Sequence, residues 1–155
     1  AAAAAARQAS PPPATPPNPA PSVAPAGSPK PAGSPSGGVG AVIAFARAQL
    51  GEPYAWGAAG PGSWDCSGLT MMAWRQAGVS LGHNTGTQWA QTRHIPLGQA
   101  QLGDLVFFGS DTSSIHHVGL YLGGGQMINA PHTGDVVRIA SIYSMSDLLP
   151  YVGRP

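Results

Sequence analysis

The chain is short of charge, of cysteine and of long apolar runs. Its 155 residues carry seven Lys and Arg against six Asp and Glu, a formal net charge of +1. Without a basic run, nothing argues for nucleic acid or for an anionic membrane surface as a partner. No apolar stretch approaches the roughly 18 residues of a membrane span. The lone cysteine, Cys66, excludes an internal disulfide, so a core must hold by packing. Ala1–Ala6 has neither the charged leader nor the bulky apolar region of a signal peptide. The chain therefore reads as cytosolic, or as an exported protein given without its leader.

What is abundant is unevenly placed. Residues 1–40 hold 11 of the 17 prolines, no aromatic residue and no acid, with Arg7 and Lys30 as their only charges. This composition divides the chain into a Pro/Ala/Ser-rich arm, residues 1–39, and one domain, residues 40–155. A domain of that size buries about two-thirds of its unfolded surface, enough for a core without staples. Proline locks φ and removes an amide donor, so the arm is expected to be extended, partly polyproline II. It serves as a spacer, or as a segment that shields a cleft of the domain. Such an arm favours the exported reading.

Within the domain, helical periodicity begins near Gly40, with Val42, Phe45, Ala46 and Leu50 on one face and Gly51 and Pro53 as a stop. Pro53 to Gly62 is a glycine-rich loop with Tyr54 and Trp56 embedded in it. A second helix is predicted from Asp65 to Ala77, with Asp65 as its N-cap, Leu69, Met72, Ala73 and Gln76 on one face, and Gly78 at its end. A short third helix is expected over Thr85–Thr92. Leu105–Phe108 reads as a buried strand, His117–Leu122 and Gln126–Ala130 as a hairpin around Gly123-Gly124-Gly125, and Val136–Ile139 as a further strand. Helices first and strands second imply an α+β fold with an antiparallel sheet.

Cys66 falls in the first turn of the second helix. A thiol attacks as thiolate, and its ordinary pKa of about 8.5 leaves little thiolate at neutral pH. The helix N-terminus, or a histidine alongside, would lower that value. A buried structural thiol is the competing reading. On the strand through His117, Val118, Leu120 and Leu122 point one way, His117, Gly119 and Tyr121 the other. A three-residue loop would set Asn129 opposite His117; a two-residue loop would set Ala130 there. In the first register the Asn129 amide oxygen would orient the imidazole, as in a Cys-His-Asn arrangement.

Pro53-Tyr54-x-Trp56-Gly57, Asp65-Cys66-Ser67-Gly68-Leu69, Gly103-Asp104-Leu105-Val106-Phe107-Phe108 and His117-Val118-Gly119-Leu120-Tyr121 occur in that order. Together they resemble the NlpC/P60 cell-wall peptidases over roughly residues 40–140. The resemblance implies a papain-like fold, with the cysteine on a helix packed against the sheet that carries the histidine. It makes Cys66 the nucleophile, His117 the general base, and Asn129 the third polar residue, in the strand after the glycine turn. It places Tyr54 near the reacting carbonyl, and Asp65 and Ser67 among the substrate-binding residues. The implied reaction is hydrolysis of an amide in peptidoglycan stem peptides, such as D-γ-glutamyl–meso-diaminopimelate, through a cysteine thioester. It needs neither metal nor other cofactor, and it implies a monomer secreted to the bacterial cell envelope. Two alternatives share the scaffold: a peptidoglycan-binding domain with weak or no turnover, and a thiol acyltransferase or amidase.

The chain departs from the family pattern at Leu81-Gly82-His83, where Leu-Pro-Arg is frequent. If that arginine meets a substrate carboxylate, His83 lacks its fixed charge and bidentate fork. Ala58 stands where a second glycine is frequent. His116 should point away from His117 and is assigned a surface or structural role. His132 is the rival to Asn129 if a bulge shifts the hairpin. A zinc site from Cys66, His117 and His132 would occupy the nucleophile and is set aside. Trp56 and Trp64 are placed at the cleft, Trp74 and Trp89 in the helical layers, and Asp104 in a turn.

Overall fold

The computed structural model describes residues 35–155, and the expectations for the arm lie mostly outside them. Three helices precede or flank the sheet: α1 (Pro35–Ala48), α2 (Cys66–Arg75) and α3 (Thr85–Ala90). The strands are β1 (Arg93–Pro96), β2 (Leu105–Gly109), β3 (Ile115–Gly123), β4 (Gln126–Asn129), β5 (Arg138–Ser141) and β6 (Leu148–Arg154). They form one antiparallel sheet in the order β1-β6-β2-β3-β4-β5. This is the expected α+β arrangement.

α1 begins at Pro35, earlier than the periodicity suggests. Proline is tolerated in a first helical turn because the amide it lacks would be unpaired there. Val42 and Ala46 are fully buried, whereas Leu50 lies past the helix and is exposed. α2 starts as expected: Asp65 adopts extended backbone and its carboxylate accepts from the Gly68 amide at 2.6 Å. Its buried face is Leu69, Thr70, Ala73 and Trp74, with Gln76 turned outward. Gly78, at φ +77°, takes the left-handed conformation that closes the helix.

β2 is buried on both faces, which is why its sequence is continuously apolar. Leu105 and Phe107 join Val118, Leu120 and Ile128 beneath α1 and α2. Val106 and Phe108 join Met127, Ile142 and Val152 on the other face. The alternation read in β3 therefore holds, with Val118 and Leu120 under the helices and His117 facing Phe108 at a ring separation of 5.5 Å.

The hairpin register is neither of the two expected. Gly123 pairs with Gln126 across Gly124 and Gly125, both at positive φ, and a bulge then sets Tyr121 against Met127 and Leu120 against Ile128. Continued one step, Gly119 faces Asn129. His117 lies two residues further along the same face, a diagonal neighbour. The Val136–Ile139 strand also shifts: β5 starts at Arg138, while Val136 bridges to Pro53 and Val137 exchanges backbone bonds with Gly51 and Glu52. With Tyr54 N–H donating to Asp135 O at 2.9 Å, this segment clasps the loop that carries Tyr54. β1 and β6 were not anticipated. Arg93-His94-Ile95-Pro96 has no strand pattern of its own and is ordered by its pairing with β6.

Candidate active site

A cleft of about 480 Å³ opens where the α2 N-terminus meets β3, and Cys66, His117, Tyr54, Asp65 and Ser67 all line it. Each arrives on a different local device. Cys66 is the first residue of α2 and is half-buried. Its thiol is pushed up, first by burial and then by the negative charge of Asp65; the amides of Val118, Ser67 and Cys66 act in the opposite sense without prevailing. The helix terminus therefore does not bring the thiol below its ordinary value, as the sequence suggested it could.

His117 is 3% exposed. Burial, and next the charge of His116, hold its imidazole down at about 4, while Asp147 pulls weakly the other way. Both groups line the one cleft, the thiol pushed up and the imidazole pushed down, so burial favours the uncharged form of each. Asn129 Nδ2 stands 3.1 Å from His117 Nε2, and its Oδ1 is buried without a hydrogen-bond partner among the described residues. Asn129, not His132, thus meets the ring. The His132 side chain is exposed and turned to the Thr133 carbonyl at 3.0 Å.

Asp65 is a hub. Its Oδ2 accepts from the Gly57 amide at 3.0 Å, and its Oδ1 from the Gly68 amide and from Ser67 Oγ at 3.4 Å. The Ser67 hydroxyl is therefore directed at Asp65, and Ser67 is itself buried. The Tyr54 hydroxyl titrates above its ordinary value through burial, then through Cys66 and Asp65, so it stays a donor at neutral pH.

Three placements differ from expectation. His116 is the unpaired residue of a bulge between the Phe108–His117 and Gly109–Ile115 pairs, and the bulge turns it into the same cleft as His117. There it is bonded to the Asp147 carboxylate. Trp64 is buried, packed edge-on against Phe45 at 5.6 Å with its indole N–H on Glu52, so only Trp56 of that pair reaches the cleft, 89% exposed. His83, read as a departure that lacks the fixed charge of arginine, lines the cleft with its Nε2 2.8 Å from Asp65 Oδ1. The signal for it was the departure at Leu81-Gly82-His83, although sequence could not show which carboxylate it meets. Asp104 does occupy a turn, where the Arg154 guanidinium bonds both of its oxygens. Among the described residues no group of three His, Cys, Asp or Glu side chains is arranged to hold a metal ion.

Residues 51–148 match the model of the NlpC/P60 family. A probable endopeptidase p60 of Listeria grayi is 52% identical over 94 residues, 61% of this chain and 18% of its own length. A peptidoglycan endopeptidase RipA of Mycolicibacterium smegmatis is 39% identical over 126 residues, 73% of this chain and 25% of its own length. This chain thus spans about a fifth to a quarter of those curated relatives. The crystal structure of the NlpC/p60 domain of the peptidoglycan hydrolase SagA is similar at a TM-score of 0.69 and 34% identity, covering 76% of this chain and 98% of that one. So is RipD of Mycobacterium tuberculosis, described as a non-catalytic NlpC/p60 domain protein adapted to peptidoglycan binding, at a TM-score of 0.65 and 32% identity over 75% of this chain and 95% of that one.

Proposed function

The chain belongs to the NlpC/P60 family, and we propose on that premise that it is a cysteine endopeptidase of peptidoglycan stem peptides, cleaving an amide such as D-γ-glutamyl–meso-diaminopimelate. The observation that carries this reading is the contact of Asn129 with His117 in the wall of a cleft that also holds Cys66. A structural thiol would need neither a buried imidazole in its cleft nor a polar residue set against that ring.

The uncharged forms that burial favours in Cys66 and His117 support a first step in which proton transfer accompanies attack. His117 takes the thiol proton as Cys66 Sγ attacks the γ-carbonyl carbon, rather than waiting in a preformed ion pair. Base action requires a lone pair on the ring nitrogen remote from Asn129, hence a proton on Nε2. The Asn129 amide serves this when turned so that Oδ1 accepts from Nε2–H, which also gives its orphaned oxygen a partner. The Cys66 backbone amide and the Tyr54 hydroxyl stabilise the oxyanion, each well-placed donor being worth about 3–4 kcal/mol. As the C–N bond breaks, His117 gives its proton to the leaving amine, leaving the acyl group as a thioester on Cys66. Water, deprotonated by His117, then attacks the thioester carbonyl; the carboxylate departs and the thiol is restored. No step needs a cofactor.

The domain would act in the bacterial cell envelope. The RipD likeness keeps a non-catalytic, wall-binding outcome in view, but this chain carries both Cys66 and His117 in one cleft. Mass spectrometry of purified muropeptides after incubation separates the two. Stem-peptide fragments formed by the native protein and not by Cys66→Ala are expected. Binding without fragments from either protein would establish the wall-binding reading.

A further inference from the structure

We propose that His83 is a positioning residue that acts on Cys66 through Asp65, tuning the nucleophile without touching substrate. The proposal draws its meaning from the cysteine-peptidase reading, but its test does not depend on cleavage.

Asp65 precedes Cys66 in the chain, is 8% exposed, and its charge opposes ionisation of the Cys66 thiol and of Tyr54. A carboxylate this buried is tolerated only where its charge is shared. Gly57 and Gly68 share it through fixed amide dipoles. His83 is the one ionisable side chain among its described partners, 2.8 Å from Oδ1, and an ionised carboxylate only accepts, so Nε2 carries the proton and donates. How firmly that donor is held sets how much of the Asp65 field reaches the thiol.

The placement of His83 is imposed from both sides. Gln88, fully buried, donates to the Ser67 and Gly82 carbonyls, both at 2.8 Å, and accepts from Thr70 Oγ1 at 2.7 Å. Gln91 Oε1 accepts from the Gly82 amide at 2.7 Å. The Asn84 side chain caps α3 through the Thr87 amide at 3.1 Å. Opposite the ring is Gly68, where a Cβ would lie 3.0 Å from His83 Nε2 and 2.2 Å from the Ala58 carbonyl. The loop between α2 and α3 is thus pinned through a buried glutamine, and the first turn of α2 is pared to glycine where the imidazole sits.

The other titratable groups around the cleft are Tyr54, His116 and His117, with Asp147 already bonded to His116. Among the described residues that line the cleft, Asp65 is the one carboxylate, and its charge opposes ionisation of the Cys66 thiol.

The test is the pH dependence of iodoacetamide alkylation in the full chain, read by mass spectrometry on its single cysteine. His83→Leu is expected to move the alkylation curve to higher pH and to slow the reaction at neutral pH about 3- to 10-fold, since one pH unit of displacement is tenfold. His83→Arg, a fixed cation, moves it to lower pH. His83→Gln, a neutral donor, stays near the native curve. In an Asp65→Asn background the effect of His83→Leu disappears, which identifies the route. Curves for His83→Leu and His83→Arg that superimpose on the native one, whatever their melting temperatures, overturn the proposal. If His83→Leu does not fold, the separation between the arginine and glutamine variants decides. A null result here with intact muropeptide cleavage rejects the role of His83 alone. Displaced curves without cleavage reject the peptidase reading alone.

Discussion

His117 is buried beside Phe108, and burial together with His116 holds its imidazole at about 4. A general base must be unprotonated, so kcat/KM should stay level from neutral pH down to about 5 and fall only as pH passes through about 4. An unperturbed imidazole would begin to fail near 6.5. Because His116 contributes to the depression, His116→Ala should move the acid limb upward, while leaving some depression from burial. A pH–rate profile of both proteins checks the sign. Asn129→Ala should lower kcat about 10- to 100-fold, a part of the 10²–10⁴ that a positioned base supplies. KM should change much less, because Asn129 is buried and does not line the cleft.

At the scale of elements, the first turn of α2 carries the most constraint. Gly68 has no room for a side chain, since a Cβ there would lie 2.2 Å from the Ala58 carbonyl and 2.9 Å from Asp65 Oδ1. Gly68→Ala should therefore destabilise the domain by about 1–3 kcal/mol, measured as a lower urea midpoint at unchanged m-value. The α2 start was legible because its cap is local: Asp65, Cys66 and Gly68 stand within one turn. β2 was legible because burial on both faces leaves a continuous apolar run. The hairpin was legible as a hairpin but not in register, since the bulge before Gly123 adds a residue that alternation cannot reveal. Asn129 was reached through family likeness, on a register argument that named the wrong facing residue. His83 was not placed, because it meets its carboxylate 18 residues away across the fold, and His116 was set on the wrong face, because the bulge in β3 is invisible to alternation. β1 and β6 depend on pairing between distant segments, for which Arg93–Pro96 gives no local sign.

Across the whole molecule, the buried neutral His117 couples stability to pH. Its folded value of about 4 lies below the ordinary 6.5, so between those limits the unfolded chain binds the extra proton. The stability associated with keeping His117 neutral is present above 6.5 and lost as pH falls toward 4, amounting to about 3 kcal/mol in all. His117→Phe should remove this part of the acid sensitivity, seen as a smaller difference between unfolding free energies at pH 7 and pH 4. The arm lies mostly outside the described residues. Its composition favours a spacer, so a chain lacking residues 1–34 should alkylate at Cys66 at the native rate; faster alkylation would reveal a shield.

The central claim is that Cys66 forms an acyl-enzyme with a stem peptide. The direct measurement is mass spectrometry of the protein quenched in acid during turnover of a muropeptide containing D-γ-glutamyl–meso-diaminopimelate. The account predicts a thioester adduct on Cys66 whose added mass is that of the amino-terminal fragment less one water, absent in Cys66→Ala, which releases no fragments. Fragments released at the native rate by Cys66→Ala would contradict it.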